Sequence, residues 1–377
     1  MYLDQSATVF VNASLVFSLN MELLLRTLGG LLLIAVATKG FDLTNFDQLE
    51  AAKKSADKRI VIRDLFVPSG KQLDLKNLQE GTVIEFTGRV TFGFAEWDGF
   101  MVVIKGKNIR VLGKPGHLID VEGHRWWDGL GGKGGKRKPR FMQVTLEDSL
   151  VSGLNIKNTP KDCFIANFCK NLRIENINVD IKDGDKKGGG HNTDGINCGG
   201  SSNVTISNCK VHNQDDCFAI GSGRDIVFEN NVCTGGHGIS IGSMGKGKVV
   251  ERLTVRNCVV IKNTNGVRIK SRKGETGLVK DITFENIELQ GVTQYGIIIH
   301  GNYPDNGPKS EPTPFPIENL TINNVHGTVG RGAANILVWV TPGSAKNWKW
   351  NSNITGGKRR LSCKGVPSGI NMPCGKI

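Results

Sequence analysis

The chain has 377 residues, 38% of them hydrophobic, which allows a full core and excludes a disordered segment. Its net charge of +13 leads us to expect a polyanionic partner, whether nucleic acid, anionic membrane or acidic polysaccharide. Glycine is in excess, 49 residues where ordinary usage of about 7% would give about 26, so the fold should contain very many turns.

In chain order, the first expected feature is a leader. Arg26 precedes an apolar run from Leu28 to Ala37 that ends in Ala35-Val36-Ala37, a small-x-small cleavage pattern. The run is too short to span a bilayer. Residues 1–37 are therefore read as a signal peptide cleaved after Ala37, with Met21 as a candidate true start, leaving a secreted mature domain over 38–377. In that setting the sequons at Asn203, Asn319 and Asn353 become glycan acceptors. Residues 44–56, "TNFDQLEAAKKSA", predict a short helix with Thr44 as N-cap and Leu49, Ala52 and Ala56 on one face. Such a helix would cover the open end of the first coil of a repeating fold.

Beyond residue 140 the chain repeats. Short β-branched runs end in an Asx residue at Asp148, Asn176, Asn208, Asn230, Asn257, Asn286 and Asn324, spaced 28, 32, 22, 27, 29 and 38 residues apart. A second set of runs, "GINC", "CFAI", "GISI", "GVRI" and "GIII", falls between them, starting at 195, 217, 238, 266 and 296. Every strand type recurs once per repeat, so like stacks on like. That predicts an all-β, single-domain right-handed parallel β-helix, with Asn at the bends because it tolerates the left-handed conformation. A propeller would need a longer, steadier period and more aromatic residues.

Aligning the second set at its first residue places Asp194, Asp216 and His237 just before the strands of consecutive coils, with Asp215 beside them. Neighbouring parallel strands lie about 4.8 Å apart, so these side chains should form a column. In "GVRIK", Val267 and Ile269 should point inward and Arg268 and Lys270 outward, near the same column. β-Helices also stack Asp and Asn at bends for structural reasons alone. Three carboxylates, an imidazole and two cations at matching heights favour a functional site instead. Clustered carboxylates also suit Ca²⁺, but Arg268 and Lys270 add competing positive charge, so no metal or other cofactor is expected.

The segments "HNTDG" (191–195), "NQDDC" (213–217), "GGHGISIGS" (235–243) and "GVRIK" (266–270) resemble the four signature segments of polygalacturonases, glycoside hydrolase family 28, in order and spacing. The resemblance extends to "RWWDGLGGKGGKRKP" (125–139), "YGIIIHGNY" (295–303) and "NWKW" (347–350), and is strongest to the fungal-type endo-enzymes. It implies hydrolysis of the α-1,4-galacturonosyl links of pectin with inversion. Asp215 would be the general acid, and Asp194 and Asp216 would activate the attacking water. Neighbouring carboxylates would raise the proton affinity of the acid, and His237 would support its protonation. Arg268 and Lys270 would bind the galacturonate carboxylate on the leaving-group side, with Tyr303 supporting that sugar and Asn192 positioning substrate or backbone. The lysine-rich loops 131–140, 183–190 and 244–248 could rim a cleft for polygalacturonate.

The resemblance further implies disulfides Cys217–Cys233 and Cys363–Cys374, and plant polygalacturonase-inhibiting proteins as partners of a monomer. The chain lacks the N-terminal cysteine pair usual in the family, and at 336–347 it departs from the fungal pattern, where a further disulfide loop is usual. Cys198 falls where Ile220, Ile241, Ile269 and Ile299 fall and should be a core thiol. Cys209 and Cys258 are equivalent positions two coils apart, about 9.6 Å, too far to bond directly. The rival readings are an exo-acting or decorated-pectin hydrolase, a Ca²⁺-dependent pectate lyase and an inactive pectin-binding homologue. Nucleic-acid binding is disfavoured because an acidic cluster in the groove would repel phosphates.

Overall fold

In a computed structural model, described over residues 40–374, every strand pairs in parallel with its counterpart in a neighbouring coil. The pairing follows from the sequence repeat. Ile196–Ser207 pairs with Asp216–Glu229, which pairs with Gly238–Met244 and Lys248–Ile261. These pair in turn with Asn265–Arg272 and Gly277–Val292, then with Tyr295–Tyr303 and Ile317–Val329. The result is a right-handed parallel β-helix. Among the described residues no helix is long and apolar enough to cross a membrane. The leader read over residues 1–37 lies outside the described residues.

Register is held from inside and at the corners. Cys198, Ile220, Ile241, Ile269 and Ile299 pair in succession and are all buried, one aliphatic file through five coils. Phe218 stacks on Phe228 across the interior, with ring centroids 4.5 Å apart. All seven Asx residues picked out by the repeat adopt left-handed backbone, with φ between 49° and 57°. Along one corner Asn324 donates to Asn286 and Asn286 to Asn257, at 3.0 and 3.2 Å, so each bend is tied to the one before it.

The N-terminal cap differs in detail from the expectation. Asn45, not Thr44, is the N-cap, accepting from the Asp47 amide while Gln48 reaches back to the Asn45 amide at 3.1 Å. A 3-10 turn over Phe46–Gln48 leads into an α-helix over Leu49–Lys54. Leu49 and Ala52 are buried, but Ala56 lies past the helix end and is exposed, because Ser55 already has extended backbone.

Cys217–Cys233 and Cys363–Cys374 are bonded. Cys163, Cys169, Cys198, Cys209 and Cys258 are free and buried. Asn231 stands between Cys209 and Cys258 in the stack and accepts from the Cys209 amide at 2.7 Å, so the two sulfurs are separated by a full coil. The sequon residues Asn203, Asn319 and Asn353 are exposed, and Asn203 and Asn319 donate their side-chain amides into the corner ladders.

The 16-residue separation of Cys217 and Cys233 makes their bond a local brace. Replacing both with Ser should cost about 3 kcal/mol in denaturant unfolding, the loop-closure value for that length.

Candidate active site

The acidic turn is built on a buried asparagine. Asn213 Nδ2 lies 2.9, 3.0 and 2.9 Å from the carbonyl oxygens of Thr193, Asp215 and Asp216, fixing two successive coils at the point where the carboxylates leave the backbone. Cys217, bonded to Cys233, holds the next residue. A β-bulge interrupts the ladder here: Asp216 faces Gly238, and Phe218 faces Ile239.

That bulge corrects the column expected from the repeat. Asp194 and Asp216 do lie level in adjacent coils, the Gly195 amide donating to the Asp216 carbonyl at 2.9 Å. His237, however, is level with Asp215, not Asp216. Its amide donates to the Asp215 carbonyl, and its Nδ1 is 2.8 Å from Asp215 Oδ1. Gly238 makes the turn feasible, with φ at 86° and space so tight that a Cβ would lie 2.1 Å from the Asn265 carbonyl oxygen.

Each carboxylate has its own surroundings. Asp215 accepts from Asn192 Nδ2 at 2.8 Å, and Asn192 Oδ1 in turn accepts from the Gly132 amide, clamping the glycine loop to the acid. Asp216 is nearly fully buried and accepts from Lys270 Nζ at 2.7 Å and Ser240 Oγ at 2.7 Å. Lys270 stands two coils on from Asp216 and reaches it past the intervening Ser240 and Gly242. Arg268 and Lys270 lie 5.5 and 5.4 Å from the Tyr303 ring centre. Asn192, Asp215, His237, Arg268, Lys270 and Tyr303 therefore line one cleft. Asp194 lines a second cleft beside it.

Proton affinities diverge inside this cluster. Burial raises Asp194 well above the usual carboxylate range, reinforced by the negative charges of Asp215, Asp162 and Asp216 and opposed by Lys270. For Asp215 burial also acts upward, but the hydrogen bond and charge of His237, with Lys270 and Asn192, outweigh it and hold the group low. The raised affinity expected at Asp215 thus falls on Asp194 in the free protein, because the imidazole stabilises the Asp215 carboxylate. Asp215, Asp216 and His237 offer donor atoms within 4.8 Å of one another, but Lys270 already neutralises Asp216 there.

Several contributors escape a sequence reading. Ser240 and Asn213 are recognisable only through their partners in other coils. His300 is buried, which lowers its proton affinity to a pKa of about 3 and keeps it neutral beneath Arg268 and Lys270. Among the basic loops, Lys133 and Lys248 reach the clefts, whereas Lys138 is buried against Asp128 at 2.9 Å and is structural.

A parallel β-helix carrying a carboxylate cluster in an open cleft suits a glycoside hydrolase. The chain belongs to glycosyl hydrolases family 28, whose family model matches residues 58–374. It is 45% identical over 349 residues to a polygalacturonase of Cochliobolus carbonum, covering 90% of this chain and 96% of the relative. It is 41% identical over 362 residues to endopolygalacturonase 1 of Colletotrichum lindemuthianum, covering 93% and 99%. Among solved structures, endopolygalacturonase I from Stereum purpureum complexed with two galacturonate superposes with a TM-score of 0.75 at 29% identity, covering 86% of this chain and 99% of that one.

Lys270→Met would leave Asp216 buried and uncompensated, so it should cost about 3 kcal/mol in chemical denaturation as well as activity. A carboxyl whose proton affinity is raised on folding lends stability that is complete below its unfolded pKa and is lost as pH rises through the folded one. Asp194→Asn should therefore raise the melting temperature at neutral pH and leave it little changed in strong acid; thermal unfolding across pH checks this.

Proposed function

We propose that this chain is a secreted endo-polygalacturonase that hydrolyses the α-1,4-galacturonosyl links of pectin with inversion. The observation that carries the reading is the convergence of Asp194, Asp215 and Asp216 with His237 and Lys270 between two clefts of a strongly basic protein. The endopolygalacturonase relatives from Colletotrichum lindemuthianum and Stereum purpureum support the substrate class and the endo mode.

In this mechanism a galacturonate carboxylate on the leaving-group side binds Arg268 and Lys270, with its ring against Tyr303. Asp215 Oδ1 and His237 Nδ1 stand 2.8 Å apart. Substrate binding excludes water and brings a negative charge beside Asp215, and both favour its protonated form. Asp215 then protonates the glycosidic oxygen as the bond from the anomeric carbon to that oxygen breaks. Asp194 and Asp216 orient a water on the opposite face, and its proton passes to them as its oxygen bonds the anomeric carbon. Asn192 keeps Asp215 aimed from below. The carboxylates act as a coupled set, so the proton inventory belongs to the group.

The same reading takes residues 1–37 as a leader removed on export and 38–377 as the hydrolase domain, acting as a monomer outside the cell. Plant polygalacturonase-inhibiting proteins would meet it there.

The test uses de-esterified polygalacturonate with a chelator present, following reducing ends and product sizes together. Rapid release of mixed oligomers, with no absorbance from an unsaturated product, is the expected result. Asp215→Asn should lower kcat by roughly 10²–10⁴-fold. Proton NMR of the first product should show the inverted anomer. Monomer from the outset would overturn the endo reading, and binding without release would leave a pectin-binding protein.

A further inference from the structure

The file of residues that holds the catalytic carboxylates does not begin at Asp194. Backbone hydrogen bonds run from Phe141 to the Asp162 carbonyl, from Cys163 to the Asp194 carbonyl and from Gly195 to the Asp216 carbonyl. Arg140 pairs with Phe100 in the coil before. Phe100, Arg140, Asp162, Asp194 and Asp216 are thus equivalent positions in five consecutive coils. Arg140 stands two coils before Asp194, about 10 Å along the stack. Arg268 stands two coils beyond Asp216.

Arg140 is held as an oriented fork. Its Nε donates to Asp162 Oδ2 at 3.2 Å, and Asp162 Oδ1 accepts from Asn197 Nδ2 at 3.1 Å. The guanidinium carbon sits 5.7 Å from the Phe100 ring centre. The anchor uses only Nε, so the two terminal amines have no hydrogen-bond partner among the described residues, and the side chain is 44% exposed. It lines a cleft of about 420 Å³ together with Phe100, Asn167, Asp194, Asn197 and Lys248. Asp162 itself is pushed toward the protonated form by burial, against the pull of Arg140 and Lys161.

We infer that Arg140, anchored by Asp162 and Phe100 and faced by Lys248, binds a galacturonate carboxylate on the glycone side of the scissile bond. This rests on the proposed hydrolase function and adds to it a direction: the polymer lies along the helix axis, with its leaving-group side toward Arg268 and its glycone side toward Arg140. A planar fork with two free amines matches a carboxylate in a way a lysine does not. An acidic polymer crossing Asp162, Asp194 and Asp216 needs cations on either side of them, and these two arginines supply them, Arg140 within the file and Arg268 two residues along its strand from it.

The test compares Arg140→Gln and Arg140→Lys with wild type on trigalacturonate and hexagalacturonate. Arg140→Gln should raise KM for the hexamer on the order of tenfold or more, the loss growing with chain length and kcat changing less. Arg140→Lys should recover part of it. Calorimetry of hexagalacturonate with Asp215→Asn, with and without Arg140→Gln, should show the same loss without turnover. Equal losses at both lengths, or unchanged hexamer binding, would overturn the assignment. A wild-type protein that binds hexagalacturonate through Arg140 but releases no reducing ends would sink the hydrolase reading and leave the subsite standing.

Discussion

The in-register stacking of one coil on the next is the constraint on which the rest of this molecule depends. Each coil contributes an equivalent residue at each height, so a side-chain type that recurs once per repeat becomes a continuous file. Ile220, Ile241, Ile269 and Ile299 make one such file inside the molecule. The left-handed asparagines make another at a corner. Because the spacing between strands is fixed by the backbone ladder, the same arithmetic that packs the core also sets the separation of groups on the outer face. A catalytic cluster on such a scaffold needs no mobile loop to assemble it.

Stacking like on like has an electrostatic cost when the repeated residue is acidic. Asp162, Asp194 and Asp216 occupy one file, and each sees the others through a poorly solvated medium. The protein offsets this with hydrogen-bonding partners brought from other coils. Arg140 meets Asp162, Lys270 meets Asp216, and His237 meets Asp215. Of these four carboxylates only Asp194 has no ion pair, so burial and its negative neighbours raise its proton affinity, while the hydrogen bond and charge of His237 hold that of Asp215 low. The asymmetry comes from which coil carries the counter-charge. Adjacent aspartates in the sequence, Asp215 and Asp216, therefore end in different environments one residue apart.

Whatever depends on period was legible in the sequence. The seven Asx bends, the inward aliphatic file, the outward Arg268 and Lys270 and the core position of Cys198 all come from counting residues within a repeat. The departures are local breaks in that period. His237 sits against Asp215 because a bulge inserts one extra residue between Asp216 and Phe218, and counting from strand starts assumes there is none. Thr44 loses the capping position to Asn45 because only Asn45 has Gln48 three residues on to close the box. Asn213 and Ser240 lie inside signature segments and Asp162 and Arg140 outside them, but each acquires meaning only from a partner 20 or more residues away.

The buried Lys270–Asp216 pair shows how far function rather than stability shapes this face. Two charges removed from water at 8% and 3% exposure regain at best what their desolvation costs, so an apolar pair of equal size would serve the fold as well or better. In the proposed hydrolase, however, an apolar pair would leave the water-activating position without a carboxylate and the sugar-binding position without a cation. In the same proposal the ammonium has two demands on it, since it pairs with Asp216 in the free protein and would face a galacturonate carboxylate in the complex. The cation for the sugar and the carboxylate for the water would then meet at a single nitrogen.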